Sequence, residues 1–169
     1  MKKILILVRH AKTKPAENGQ KDFDRELMAE GVKDASLVGR HFFKKNLEAD
    51  RIVSSPAKRA ANTAELLAEQ MRYDLSSIDY DETIYEASVR NLLNVVNNFS
   101  TEWQTALLIG HNPAISYIAE YLSGDGVDNI VSCGVVVIEF DDLPWNEISQ
   151  GSGKVVEILL PDQIRELYK

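Results

Sequence analysis

The sequence has little of what membrane proteins and disulfide-stabilised proteins need. Cys133 is its one cysteine, so no internal disulfide can form and the fold does not depend on an oxidising compartment. No apolar run approaches the roughly 20 residues that a helix needs to span a bilayer. The apolar run at residues 4–8 is also too short for a signal peptide, and Arg9–His10 follows it instead of a small-residue cleavage site. We therefore expect a cytoplasmic protein with no membrane contact.

Excess positive charge is absent as well. With 26 acidic and 19 basic side chains, the formal net charge is −7, which argues against a general binder of nucleic acid or of anionic membranes. The local field in a cleft can still favour an anionic ligand. Hydrophobic residues make up 44% and charged residues 27% of the chain, values typical of a globular protein. The length fits one domain over residues 1–169, which we expect to be monomeric.

Apolar runs alternate along the chain with segments of helical periodicity. This alternation predicts a three-layer α/β/α sandwich around a mostly parallel sheet. The predicted strands span residues 4–8, 51–54, 78–80, 105–110, 134–140 and 154–160. The predicted helices span residues 28–45, 56–71, 89–99 and 113–122. Two of these helices begin with a cap-plus-proline pair, Ser55–Pro56 and Asn112–Pro113.

Polar side chains follow three of the predicted strands. Arg9 and His10 follow the first strand, Arg59 lies in the helical turn after the second, and His111 follows the fourth. The carboxyl ends of parallel strands meet at one rim of an α/β sheet, where ligands bind. Guanidinium groups and helix N-termini favour phosphate, and an imidazole is a potential nucleophile. The sequence therefore predicts a phosphate site with a nucleophile beside it.

The other candidate groups fit structural roles. His41 lies inside a predicted helix, and with the other two histidines assigned to the rim no zinc-binding cluster is left. Cys133 has no arginine shortly downstream, as the nucleophile of a cysteine phosphatase would require. Residues 151–154 lack the earlier glycine and the Ser or Thr of a phosphate-binding loop.

Three short motifs resemble those of the histidine phosphatase superfamily, which has a phosphoglycerate mutase-like fold. Residues 7–12 (Leu-Val-Arg-His-Ala-Lys) resemble its Arg-His-Gly signature, with alanine in place of the usual glycine. Residues 54–63 resemble its second arginine segment, and residues 110–113 resemble its second-histidine segment. Residues 22–27, the following Gly31 and the short chain are most similar to SixA-type phosphohistidine phosphatases.

The resemblance implies a metal-independent phosphatase that works through a phosphohistidine intermediate and needs no cofactor. A nucleophilic imidazole would attack phosphorus in line, while guanidinium groups and a second imidazole would hold the phosphoryl oxygens. The residues implied are His10 as the nucleophile, Arg9, Arg59 and His111 as phosphoryl ligands, and Arg25 and Asn112 as further substrate contacts.

The general acid is less clearly marked than the nucleophile. Many superfamily members carry a glutamate in the segment that corresponds to residues 81–86, and here either Glu82 or Glu86 fits, so both stay open. A weak acid signal is compatible with a phosphohistidine substrate, because imidazole leaves phosphorus more readily than an alkoxide does. Arg25 is also open, since Asp22 and Asp24 could simply be its ion-pair partners.

The spacing of the motifs bears on the substrate. Few residues separate Glu82 from the strand before His111, so no large lid is predicted and we expect an open site. Such a site favours phosphohistidine in a phosphorylated protein. Two alternatives are a phosphatase of small phosphorylated substrates and a non-catalytic module that binds phosphorylated ligands. The joint presence of four residues argues against the module, because binding alone does not need a nucleophile; they are Arg9, His10, Arg59 and His111.

Overall fold

A six-stranded sheet forms the centre of the structure, a computed structural model that describes residues 1–169. Its strands are β1 (Lys3–Arg9), β2 (Arg51–Ser54), β3 (Asp79–Tyr80), β4 (Thr105–Gly110), β5 (Val135–Phe140) and β6 (Lys154–Leu159). Their order across the sheet is β3-β2-β4-β1-β5-β6. Strands β1 to β4 pair in parallel, whereas β5 runs antiparallel to both of its neighbours.

Helices cover both faces of this sheet. They are α1 (Ala29–Lys44), α2 (Lys58–Met71), α3 (Val89–Asn97), α4 (Ala114–Ser123) and α5 (Pro161–Leu167). Because successive side chains of a strand point to opposite faces, Leu5 and Leu7 of β1 pack in a core with α3 and α4. Ile6 and Val8 of the same strand pack in a second core with α1, α2 and α5. The predicted α/β/α sandwich with a mostly parallel sheet is confirmed.

The structure corrects the predicted starts of two helices. Helix α2 begins at Lys58, because Ala57 before it has extended backbone. Ser55 therefore does not cap the helix, and its hydroxyl instead accepts a hydrogen bond from the Ala57 N–H (3.2 Å). Helix α4 begins at Ala114, and its N-cap position is held by Pro113 rather than by the asparagine before it.

Several short helices were not predicted. Helix α5 has seven residues and follows β6 directly, so its pattern is too short for helical periodicity to show. Its first position is a proline, as helix starts favour. Single turns of 3₁₀ helix also form at Asp22–Asp24, Leu75–Ser77, Glu82–Ile84 and Trp145–Glu147. No helix of the structure is long and apolar enough to cross a membrane.

Gly31 brings helix α1 against the segment that follows β1. A side chain at this position would overlap the backbone carbonyl oxygen of Lys12. The Lys12 carbonyl also accepts a hydrogen bond from Met28 N–H (3.0 Å), so the contact fixes how the chain leaves the sheet just after His10.

We expect Gly31→Ala to lower the free energy of unfolding by about 1–3 kcal/mol, the usual cost of overpacking. Gly126→Ala is the matched control, because nothing lies within 4 Å of a Cβ at that position. Urea denaturation of both variants measures the difference. Equal stability of the two variants would show that the approach of α1 to Lys12 is not tight.

Candidate active site

The carboxyl ends of three adjacent strands bring the predicted histidines and arginines together. Strand β4 lies between β1 and β2, so His10 and His111 leave the sheet side by side. The backbone N–H of His10 donates to the Gly110 carbonyl (3.1 Å), and the backbone N–H of Ser55 donates to the Ile109 carbonyl (3.1 Å). The centroids of the two imidazole rings lie 5.1 Å apart. The sheet rim predicted from the sequence is therefore where these side chains meet.

A hydrogen bond to the backbone fixes the tautomer of His10. The Nδ1 atom lies 2.8 Å from the Ala11 carbonyl oxygen, and because a carbonyl only accepts, Nδ1 must carry the proton. The Nε2 atom of a neutral ring is then left with its lone pair. The Ala11 N–H in turn donates to the Thr63 hydroxyl (3.0 Å), which donates to the Arg59 carbonyl (2.8 Å).

The surroundings of His10 disfavour its charged form. Burial is the largest cause, and the positive charges of Arg59, Arg9 and Arg25 add to it, so the pKa of His10 falls from 6.5 to about 4. The hydrogen bond to Ala11 opposes this shift. At neutral pH the ring is therefore uncharged, the form in which Nε2 can act as a nucleophile.

His111 is also held neutral. Its Nε2 lies 2.8 Å from the Ser55 hydroxyl. Burial, followed by the proximity of His10 and Arg59, lowers the pKa of His111 to about 3. The Nδ1 atom is buried and makes no hydrogen bond within the protein.

Arg9 is half-buried, and part of its guanidinium has no partner. Its Nη1 donates to the Ile130 carbonyl (2.9 Å), while Nε is buried without a partner. Burial lowers the pKa of Arg9. Unpaired buried donors are rare in folded proteins, and Arg9 Nε is one that an anion with several acceptor oxygens could satisfy.

Arg59 is buried, and its guanidinium binds Asp22. Nη1 donates to the Asp22 carbonyl (2.7 Å) and Nη2 to its carboxylate (2.9 Å). The same carboxylate accepts from the Tyr85 hydroxyl (2.8 Å) and from Arg25 Nη1 (3.3 Å). The hydrogen bond from Tyr85 is the largest cause that lowers the pKa of Asp22, and Arg59 lowers it further, to about 2. A carboxylate that stays ionised thus ties a surface loop to Arg59.

Arg25 and Asn112 stand at the edge of the site and brace its loops. Arg25 also donates to the Lys14 carbonyl (3.2 Å) and the Thr13 hydroxyl (2.8 Å). The Asn112 amide donates to the Ile130 carbonyl (2.9 Å), the same carbonyl that accepts from Arg9. Contact of Arg25 or Asn112 with a substrate stays a prediction.

The two candidate acids lie on the surface. Glu82 and Glu86 are exposed, and neither makes a hydrogen bond or ion pair with the rim histidines or arginines. Glu82 lines a groove of about 570 Å³. This groove is lined by none of the residues Arg9, His10, Arg59 and His111. Glu86 directly follows Tyr85, in a left-handed conformation with φ of 55°. A role of Glu82 or Glu86 as the general acid stays a prediction.

The side chains of His41 and Cys133 form no hydrogen bond with the rim histidines or arginines. His41 Nδ1 is 2.8 Å from the Tyr168 hydroxyl of helix α5. Cys133 is buried, burial raises the pKa of its thiol to about 12, and its backbone N–H donates to the carbonyls of Arg9 (3.0 Å) and His10 (3.2 Å). No group of three or more His, Cys, Asp or Glu side chains is arranged to hold a metal ion.

Asp22 and Tyr85 are site residues that the sequence alone did not single out. Asp22 was considered only as a partner of Arg25, although it lies in the segment most similar to SixA proteins. Tyr85 lies between the two candidate glutamates, and no pattern marked it. Its ring centroid lies 5.6 Å from that of His111 in an edge-to-face arrangement.

The family model of the histidine phosphatase superfamily (branch 1) matches residues 5–95. The chain belongs to this superfamily. The matched span runs from within β1 into α3, and it contains Arg9, His10, Arg25 and Arg59. The resemblance seen in the sequence motifs is confirmed.

Solved structures of SixA proteins have the same fold as this superfamily member. A SixA from Agrobacterium tumefaciens, assigned as a phosphohistidine phosphatase, is 25% identical, with a TM-score of 0.79 over 94% of this chain and 99% of that one. A protein histidine phosphatase SixA in complex with tungstate is 18% identical, with a TM-score of 0.83 over 95% and 99% of the two chains. Superfamily membership and these neighbours support a phosphatase.

A relative from Mycobacterium leprae is 31% identical over 109 residues. The match covers 64% of this chain and 64% of the length of that relative.

We expect His10 and His111 to stay neutral well below the ordinary pKa of histidine. NMR titration of the ring nitrogens should give midpoints near 4 and 3, with His41→Gln used to assign the third signal. Unfolded histidines titrate near 6.5. The contribution of His10 to the free energy of unfolding should therefore be complete above pH 6.5 and should be lost as the pH falls toward 4. Midpoints of 6 to 7 for both rings would contradict this electrostatic picture.

Proposed function

We propose that this superfamily member removes the phosphoryl group from phosphohistidine in proteins, through a covalent intermediate on His10. The observation that carries the proposal is the neutral His10 ring, with Nε2 free, beside Arg9, Arg59 and His111. A pocket that only bound phosphate would gain nothing from such a nucleophile.

In the first step, Nε2 of His10 attacks phosphorus. A bond forms between Nε2 and phosphorus while the bond between phosphorus and the substrate imidazole nitrogen breaks, and its electron pair stays on the departing imidazole. Arg9, Arg59 and His111 bind the phosphoryl oxygens and stabilise the charge that develops on them. The hydrogen bond from Nδ1 to Ala11 supports the positive charge that the His10 ring acquires.

In the second step, water attacks the phosphorus of phosphorylated His10. The bond to Nε2 breaks, its electron pair returns to the ring, and inorganic phosphate and a proton leave. The same guanidinium groups serve both steps, because the phosphoryl group keeps its position while the nucleophile changes. The positive charge comes from arginines, so we propose that no metal ion takes part.

The acid–base properties of the site favour a phosphorus–nitrogen bond as the substrate. Asp22 is the carboxylate that contacts the anion-binding arginine, and with a pKa of about 2 it is a poor proton donor at neutral pH. Glu82 and Glu86 are exposed and make no hydrogen bond with His10, His111, Arg9 or Arg59. An alkoxide leaving group needs a positioned acid, which typically contributes ~10²–10⁴-fold in rate, whereas an imidazole holds the electron pair far better.

A comparison of two substrates tests the proposal. Wild-type protein in EDTA should hydrolyse a phosphohistidine peptide much faster than an alkyl phosphate. Glu82→Gln and Glu86→Gln should each keep the phosphohistidine rate within about tenfold of wild type, since an acid is not required there. Glu120→Gln, a change on the exposed side of α4, is the matched control.

Faster hydrolysis of the alkyl phosphate would assign the protein to small phosphomonoesters instead. A loss of more than a hundredfold on both substrates in a folded Glu82 or Glu86 variant would identify that glutamate as an essential acid. Activity that disappears in EDTA and returns with one divalent ion would refute the metal-free mechanism.

A further inference from the structure

An exposed phenylalanine lies at the entrance of the site. Phe23 is the central residue of the 3₁₀ turn Asp22–Asp24, and 37% of it is exposed. It belongs to neither hydrophobic core, so core packing does not explain an aromatic side chain there. Two acidic residues flank it, and its ring packs on one side against Tyr85 while more than a third of the residue stays in contact with solvent.

The turn that carries Phe23 is fastened to the anion-binding group. Arg59 holds the carbonyl and the carboxylate of Asp22 at 2.7 and 2.9 Å, and Tyr85 holds the same carboxylate at 2.8 Å. Phe23 is the next residue along the chain. The contacts of Asp22 therefore fix where Phe23 lies relative to a phosphoryl group bound by Arg59.

Four aromatic rings run from the nucleophile to the solvent. The ring centroids of His10 and His111 are 5.1 Å apart, those of His111 and Tyr85 are 5.6 Å apart, and those of Tyr85 and Phe23 are 5.1 Å apart. Tyr85 meets both of its neighbours edge-on, at interplanar angles of 75° and 90°. This row of rings forms one wall of the site, and Phe23 is its outer end.

We infer that Phe23 is a specificity-determining residue that packs against a planar leaving group. When Arg9, Arg59 and His111 bind a phosphoryl group, its leaving group lies on the solvent side. Phe23 presents an exposed aromatic ring there. A flat ring such as the imidazole of phosphohistidine, or a phenyl group, can stack on it or meet its edge. A flexible alkyl group gains less from the same contact. The inference rests on the proposed function and names the feature of the substrate that this site recognises.

Binding of phosphonates tests the inference without requiring turnover. Phenylphosphonate and propylphosphonate carry the same anionic group, and they differ in whether the adjoining group is planar. Calorimetry should show that wild type binds phenylphosphonate more tightly. Phe23→Leu, which keeps an apolar side chain of similar size, should reduce this preference by about three- to tenfold, the range expected for one aromatic contact. Phe23→Trp should retain it.

Phe43→Leu is the matched control, because Phe43 is 42% exposed and lies near the far end of helix α1. It should leave the ratio of the two affinities unchanged. An equal effect of Phe23→Leu on both phosphonates would overturn the inference and give Phe23 a role in holding the loop. Weak binding of both phosphonates to wild type would overturn it as well. If the protein prefers phenylphosphonate but does not hydrolyse phosphohistidine, the result would count against the proposed function and not against the role of Phe23.

Discussion

The hydrogen bond from His10 Nδ1 to the Ala11 carbonyl determines which nitrogen of the ring can react. It places the proton on Nδ1, directs the lone pair of Nε2 away from the backbone, and connects the ring to α2 through Thr63 and the Arg59 carbonyl. The end of β1 and the first turn of α2 are thereby held together. His10 and Arg59, which we propose as the nucleophile and an anion ligand, follow two different strands, and this short chain of hydrogen bonds holds them together.

Charge at the rim has the opposite sign to charge over the whole molecule. The chain carries a net charge of −7, yet three guanidinium groups lie near His10 and add to the effect of burial, which is the main cause of its lowered pKa. Asp22 forms ion pairs with two of them, Arg59 and Arg25, and with a pKa of about 2 it is ionised at neutral pH. An arriving phosphoryl group would share Arg59 with Asp22, so the loop around Asp22 and Phe23 is coupled to whatever anion the site binds.

The sequence predicted the parts of this site that depend on local pattern. Apolar runs located β1, β2 and β4, and the polar residues after them gave Arg9, His10, Arg59 and His111. Asp22 and Tyr85 escaped because their contacts are not local: Asp22 lies 37 residues from Arg59 and 63 from Tyr85. Helix α2 begins later than its cap-plus-proline signal indicates, since the backbone at Ala57 is extended. The seven residues of α5 were too few to show a period.

The most direct test of the account is to locate the phosphoryl group during turnover. Rapid quench in alkali, followed by mass spectrometry and ³¹P NMR of the labelled peptide, identifies both the residue and the ring nitrogen. The account predicts an acid-labile, alkali-stable phosphoryl group on Nε2 of His10, absent in His10→Ala. A phosphoryl group on Nδ1, on His111 or on any other residue would contradict it, as would undiminished turnover by His10→Ala.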